Sequence, residues 1–335
     1  MLAVGFSDHI NPASHPLIAN VGLAFPIFLL INIAFLVFWL CVKKRWALIP
    51  IGGLIIGFLP IRIYSPLNLR ADAPEGCIKV IQYNVFGFNE WKDTNDQSEI
   101  INYILREKPD ILCMEESPVG TKKDLVDSAL ISILQYSDTI DNGSISIYSK
   151  YPIVGHERIN YHSDNKNSSG AFFVLTAPKD TTIVIANHFE ITGLSLEQRA
   201  QFKAILKGKV EKDSMEIESK AIWRRLAESA KVRAPQADAV AEYIQQHKDK
   251  NIILMGDFND SPISYVRRRI AQELTDCYVS TANGPGISYH YSGFYVRIDN
   301  IFCSDHWMPY DCHVDNSIKA SDHYPVVCLL KRRGT

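Results

Sequence analysis

The segment Asn251–Asp260, NIILMGDFND, carries the sharpest chemical signal in the chain. Four apolar residues, Ile252 to Met255, run into Gly256-Asp257-Phe258-Asn259, which reads as a buried strand opening into a loop. Asp257 and Asn259 stand two apart, so an extended backbone would point both to one side. A carboxylate and an amide delivered together at a strand mouth suit activating a water and holding the group it attacks. The same residues also suit an Asx-rich turn after a core strand.

Other stretches supply complementary types. Asn84 closes the strand-like run CIKVIQYNVF, where an Asn is also an ordinary turn former. Glu115 and Glu116 end DILCMEE. Burying an unpaired carboxylate costs on the order of several kcal/mol, and hard cations such as Mg²⁺ favour one or two carboxylates. Metal ligation is therefore one reading of that acidic pair. His188 ends the apolar run TTIVIAN, and a hydrogen-bonded structural histidine is the other reading there. Asp299 lies in RIDNIF and His323 in SDHYP. An Asp that accepts from one ring nitrogen of a His fixes its tautomer and stabilises its cationic form. Taken alone, Asp322-His323 also reads as a loop capping the strand that begins near Pro325.

These residues need strands to present them. Strands are expected over 77–86, 110–116, 144–148, 171–176, 182–188, 251–257, 275–280, 286–291, 296–303 and 325–331. Helices are expected over 96–108, 123–136, 264–272 and from about 219 to 246, the last interrupted at Pro235. Ser195 and Gln198 form a capping-box pattern opening a helix to about Lys207. Strands and helices alternate without a regular βαβ count, which favours a mixed sheet system.

Ahead of these lies a different composition. Leu17 to Val42 is uncharged, long enough to cross a bilayer with some tilt. Lys43-Lys44-Arg45 follow, then a second apolar run from Trp46 to Ile61, with Arg62 and Tyr64 placed to anchor at an interface. Two transmembrane helices are expected, about 17–42 and 46–64. The basic triplet follows the first apolar run, which argues against a cleaved signal peptide. The positive-inside tendency puts that short loop in the cytoplasm and everything after residue 65 outside it. Residues 65–76 read as a linker.

Lys43, Lys44, Arg45 and Arg62 are the basic residues before position 70 and Asp8 is the acid, so the remainder is net acidic. A domain of that sign has no general attraction for nucleic acid or anionic lipid. The seven cysteines form no CxxC and no zinc-spaced cluster, and most read as small buried hydrophobes.

The ordered set YNV, DILCMEE, NH, GDFN, RIDNIF and SDHYP, spanning about residues 77–331, resembles the endonuclease/exonuclease/phosphatase superfamily. The resemblance implies an α/β fold, a four-layered sandwich of two packed mixed β-sheets flanked by helices. It implies a catalytic domain over 77–335, from whose minimal pattern this chain departs by a helical insert at about 191–231. It makes Glu116 the principal Mg²⁺ ligand (Mn²⁺ as substitute), helped by Asn84 and Asp322. Asp257 would orient or deprotonate water, Asn259 and His188 would hold phosphoryl oxygens, and His323, oriented by Asp299, would complete the site. Glu115 departs from the family's usual Gln, and its charge is expected to tighten metal binding or add a second metal contact. The insert, with Trp223, Arg224, Arg225 and Lys231 at helical spacing, reads as a solvated packing element, or as a lid or membrane-surface contact near the site. Arg233 and Gln236 resemble the core helix before GDFN.

The implied function is a membrane-anchored phosphoesterase acting on nucleic acid or on a lipid headgroup in the manner of sphingomyelinases or phosphoinositide phosphatases. The bilayer is the second implied partner, and no protein partner is indicated. A non-catalytic membrane scaffold is the alternative from another class; the intact polar set argues against it.

Overall fold

The computed structural model describes residues 1–88, 98–178, 180–206, 212–291 and 293–334. Twelve strands among them form two six-stranded mixed sheets. The first sheet contains Ile78–Asn84 (β1), Ile111–Glu115 (β2), Tyr136–Ile140 (β3) and Ile145–Ser149 (β4). The second takes Ile153–Ile159 (β5), Ser169–Ala177 (β6), Asp180–His188 (β7), Asn251–Asp257 (β8), Thr275–Asp276 (β9) and Asp299–Cys303 (β10). Trp307–Val314 (β11) and Val326–Arg332 (β12) return to the first sheet, whose order is β11-β12-β1-β2-β4-β3. The second runs β5-β6-β7-β8-β10-β9.

Strand parity builds the layers. Val80, Ile147, Val184, Met255 and Ile301 point inward and form one apolar core between the sheets. Ile81, Tyr83, Leu112 and Met114 point outward, where they pack under Glu99–Glu107 and Thr121–Leu130. Ile185, Ile252 and Leu254 point outward from the second sheet onto Val240, Ile244, Val266 and Ile270 of the helices Lys212–Gln246 and Tyr265–Ala271. Strand β8 is a continuous apolar run because both of its faces are covered. The expected sandwich of two packed mixed sheets flanked by helices is thus present.

Several expectations differ. The run 275–280 keeps only β9 as strand, because Asp276 caps a short helix, Cys277–Thr281, by accepting from the Val279 N–H at 2.9 Å. Of 286–291, Tyr289 alone makes β-bridges, to Val296 and His323. Pro235 does not interrupt its helix, since it and Lys231 face solvent, where water can satisfy the freed carbonyl. Strands β3, β5 and β11 were not anticipated; β3 and β5 are half-exposed strands at sheet edges or ends and lack a buried apolar run. The expected helix start at 96 lies outside the described residues. Five cysteines are buried, as expected of small hydrophobes.

The N-terminal region holds one helical run, Pro16–Val42, long and apolar enough to cross a membrane, with mean hydropathy 2.6. The second expected span is broken: Lys44–Ile56 and Phe58–Tyr64 meet at 62°. Pro60 explains the break, because its ring would collide with the Ile56 carbonyl four residues back and it has no N–H to donate. Among the described residues there are therefore one helix of spanning length and one bent pair.

This region is packed on the sandwich. Phe25 and Ile63 bury against Ile263. Gly22 fits so closely that a Cβ there would lie 2.2 Å from the Ile263 carbonyl oxygen. The buried Arg297 guanidinium donates to the Ile63 carbonyl at 2.6 Å and to the Pro285 carbonyl at 2.6 Å, and lies 4.2 Å over the Tyr278 ring. It thereby satisfies a carbonyl at the C-terminal end of Phe58–Tyr64, where orphan acceptors and the helix dipole favour a cation.

Candidate active site

Both sheets deliver polar residues to one edge. Asn84 at the end of β1 pairs in register with Glu115 at the end of β2. His188 at the end of β7 pairs with Asp257 at the end of β8, and Asp257 pairs with Asp299 at the start of β10. Ser321 ties the loop before β12 to the same edge: its hydroxyl donates to the Asn84 carbonyl at 2.8 Å and accepts from the His323 N–H at 3.2 Å. Asn84, His188, Asp257, Asp299 and His323 are all buried there, while Glu116 is 36% exposed at its side chain.

The Asp299–His323 pairing expected from the sequence is present, with Nδ1 of His323 2.8 Å from Asp299 Oδ2. Nε2 of His323 faces Asp257 Oδ2 at 3.8 Å. Burial works against the imidazolium, but the Asp299 and Asp257 carboxylates overturn it and lift the His323 pKa to about 10. Burial raises Asp257 to about 7; Asp299 adds to the rise, and His323, the Asn259 N–H and Asn84 oppose it. Asp257, Asp299 and His323 place one ligand-type atom each within 4.8 Å of one another.

Asn84 joins this group to Glu116. Its Nδ2 donates to Glu116 Oε1 at 3.1 Å and to Asp257 Oδ2 at 3.2 Å, while its Oδ1 accepts from the Phe86 N–H at 3.1 Å. Placed in this way, Asn84 presents its amide nitrogen to the two carboxylates. Asp322 is half-buried, and its pKa is raised by burial and then by the nearby Glu116 charge. His188 lies with Nε2 3.8 Å from Glu116 Oε1. Among the described residues neither of its ring nitrogens has a hydrogen-bond partner. Burial lowers its pKa, so a neutral ring is favoured, although Glu116 pulls the other way. The structural-histidine reading of His188 therefore lacks the hydrogen bonds it requires.

Two expectations are corrected by the local backbone. Asn259 does not share an extended strand face with Asp257. It sits at φ 49° in an Asx turn, its N–H donating to Asp257 Oδ1 at 2.7 Å and its Nδ2 to the Phe189 carbonyl at 3.0 Å. Glu115 does not face the Glu116 side. It is fully buried, accepts from Gln82 Nε2 at 2.7 Å, and burial holds its carboxyl pKa well above the usual range. Glu115 is thus turned away from the edge where Glu116 lies. Glu116 itself has φ 51°, a left-handed conformation uncommon for a non-glycine residue, which turns its side chain away from the strand's own alternation.

Four further residues shape the site. Gln82 bridges the sheets, donating to Glu115 and to Asp299 Oδ1 at 2.8 Å. Its position two before Asn84 on the same strand face is a signal that could have found it. Ser288 Oγ accepts from the N–H groups of Ile298 and Asp299. The ring of Tyr289 meets His323 edge-on at 4.9 Å. Arg199 donates to the Tyr289 hydroxyl. No sequence pattern links Arg199, on the insert helix Leu196–Leu206, to this edge.

Residues 81–323 match the sequence profile described as the endonuclease/exonuclease/phosphatase family. Residues 1–64 match a profile described as a domain of unknown function. Among solved structures, an endonuclease/exonuclease/phosphatase from Beutenbergia cavernae is 18% identical, with 76% of this chain and 72% of that one covered at a TM-score of 0.54. The human Nocturnin catalytic domain with bound sulfate is 16% identical, covering 79% and 96%, with a TM-score of 0.55. Sphingomyelinase C from Streptomyces griseocarneus is 16% identical, covering 77% and 99%, with a TM-score of 0.51. At these identities the likeness is one of fold. Among curated proteins, none matches the chain significantly in sequence.

Proposed function

The chain belongs to the endonuclease/exonuclease/phosphatase family, and from that premise we propose that it is a membrane-anchored, Mg²⁺-dependent phosphoesterase. The observation that carries this reading is the buried, unpartnered His188 imidazole facing Glu116, beside the Asp257–His323–Asp299 chain. A buried imidazole N–H with no partner among the described residues suits a bound anion, and a half-exposed carboxylate next to it suits a cation.

In this reading Glu116 and Asp322 supply the hard oxygen ligands for Mg²⁺, with Mn²⁺ as substitute. Asn84, expected as a further ligand, holds Glu116 by its amide nitrogen, so its part would be to position that carboxylate for the ion. The ion contributes charge neutralisation at the phosphoryl group. Asp257, with a pKa near neutrality, takes a proton from the attacking water as the new P–O bond forms. Cationic His323 gives a proton to the leaving oxygen as the old P–O bond breaks, and Asp299 keeps it oriented. His188 and Asn259 hold phosphoryl oxygens.

Residues 1–64 act as the anchor, 65–76 as the linker, and 77–335 as the catalytic domain with its insert at 191–231. The Lys43-Lys44-Arg45 cluster argues for a cytoplasmic loop and a catalytic domain on the other side. A reporter fused after Thr335 that works in the cytoplasm alone would reverse that orientation.

The deciding experiment offers the full chain plasmid DNA, sphingomyelin vesicles and phosphoinositide vesicles in parallel, with Mg²⁺. Phosphoester cleavage that is absent from His323→Ala supports the proposal. Mg²⁺ binding measured by calorimetry, weakened in Glu116→Ala, supports it independently. Failure of both measurements would leave the scaffold reading.

A further inference from the structure

A cleft of about 790 Å³ opens onto the catalytic edge, and Glu116, Asp257, Asp322 and His323 line part of it. The rest of its lining is mainly apolar. Leu23, Pro26 and Ile27 come from the start of the helical run that is long enough to span a membrane. Ile222, Trp223 and Leu226 come from the insert end of Lys212–Gln246, the last two a helical turn or less apart on one face. Phosphoryl chemistry needs the polar part alone. The apolar part leaves hydrocarbon-like surface facing an open cleft, which marks a binding site more often than an idle surface.

Charge narrows the occupant. Among the described lining residues the guanidinium groups are those of Arg199 and Arg233. Arg233 is buried and paired with Asp260, its Nε 3.2 Å from Oδ2. No basic track for a nucleic-acid backbone follows from these two groups. The cleft is continuous with the membrane helix, which supplies one of its walls, and Ile27 is 60% exposed there.

We propose that the substrate is a membrane amphiphile, with its phosphoester at Glu116, Asp257 and His323 and its hydrocarbon tail in the cleft between the N-terminal segment and the insert helix. The proposal rests on the phosphoesterase reading above and names its substrate class. The N-terminal region then serves as part of the substrate site as well as an anchor, and the insert acts as its second wall.

The test uses the full chain in lipid nanodiscs with Mg²⁺ and a series of p-nitrophenyl alkyl phosphate diesters, ethyl, hexyl and decyl, each below its micellar concentration. A single-stranded oligonucleotide runs alongside, and Asp257→Asn is the blank. Burying methylenes in the cleft should raise kcat/KM at least about tenfold from ethyl to decyl. Ala24→Trp and Leu226→Trp, which fill the cleft from different elements, should each pull the decyl-to-ethyl ratio back toward one. Partition into the bilayer would act on wild type and variants alike, so a wild-type rise that both variants retain overturns the cleft assignment. A flat series in the wild type overturns the amphiphile proposal and leaves the phosphoesterase reading standing. Oligonucleotide cleavage at higher kcat/KM than the decyl diester overturns it in favour of a nuclease. No turnover above the blank on any substrate removes the phosphoesterase reading and the proposal with it.

Discussion

At the scale of single residues, the site separates groups that face the cleft from groups that hold them. His323→Ala and Asp257→Asn are each expected to lower turnover by at least roughly a hundredfold, the range for positioned acid–base and electrostatic groups. Steady-state kinetics on a diester with a poor leaving group checks this, since such a substrate needs a proton at the leaving oxygen. Glu115 makes a contrasting case. Its side chain is buried, turned to Gln82 and Cys113, and burial favours its neutral form. Glu115→Gln keeps an acceptor for the Gln82 amide, so stability should change by less than about 1 kcal/mol. Turnover should stay within about threefold, given that one neutral hydrogen bond is worth about 1 kcal/mol. A large loss of Mg²⁺ affinity in Glu115→Gln would show that the carboxylate reaches the ion after all. Residue types were readable from the chain: acids, amides and imidazoles at strand ends. Their orientations were not. Glu115 and Glu116 are neighbours with opposite fates, and a positive φ at Glu116 that no composition rule supplies makes the difference.

At the scale of elements, the long helix Lys212–Gln246 does two jobs. Its C-terminal half is core: Gln236 accepts from the Glu190 N–H at 2.9 Å, and Arg233 binds Asp260 and the Glu190 carbonyl. Arg233 is 2% exposed, so Arg233→Ala leaves Asp260 as an uncompensated buried charge and should cost about 3–5 kcal/mol in unfolding free energy. Arg224→Ala, on the exposed face, should leave the unfolding midpoint almost unchanged. Thermal or denaturant unfolding of the two variants side by side checks the contrast. The capping box that opens the preceding helix was legible: Ser195 Oγ accepts from the Gln198 N–H at 3.1 Å, and Gln198 Oε1 accepts from the Ser195 N–H at 3.0 Å. The continuous passage through Pro235 was not legible, because a proline's effect depends on which face of the helix is wet.

At the scale of the whole molecule, the N-terminal region and the sandwich share an interface. Gly22→Val would push side-chain atoms into the Ile263 carbonyl and should cost about 1–3 kcal/mol in overpacking, or displace the segment from the domain. Limited proteolysis of the full chain in nanodiscs should show new cleavage before residue 25. Arg297→Met should have a similar effect, since it strips partners from the carbonyls of Ile63 and Pro285. Unchanged proteolysis in both variants would argue that the docking is dispensable. The sequence alone determined a good deal at this scale. Alternating and continuous apolar runs marked most of the strands, and the uncharged run ending at Val42 marked a helix of spanning length. The order of the motifs marked the family, because short local patterns survive in the chain as text. The tertiary structure alone decided that both sheets end at one edge, since the pairing of β1 with β2 and of β7 with β8 joins positions far apart in the chain. It also decided that the second apolar run bends at Gly57 and that Arg199 and Trp223 of the insert line the same cleft as Glu116 and His323. Packing of Phe25 and Ile63 against Ile263 was equally invisible, because nothing in a linear sequence states which apolar faces, once formed, find each other.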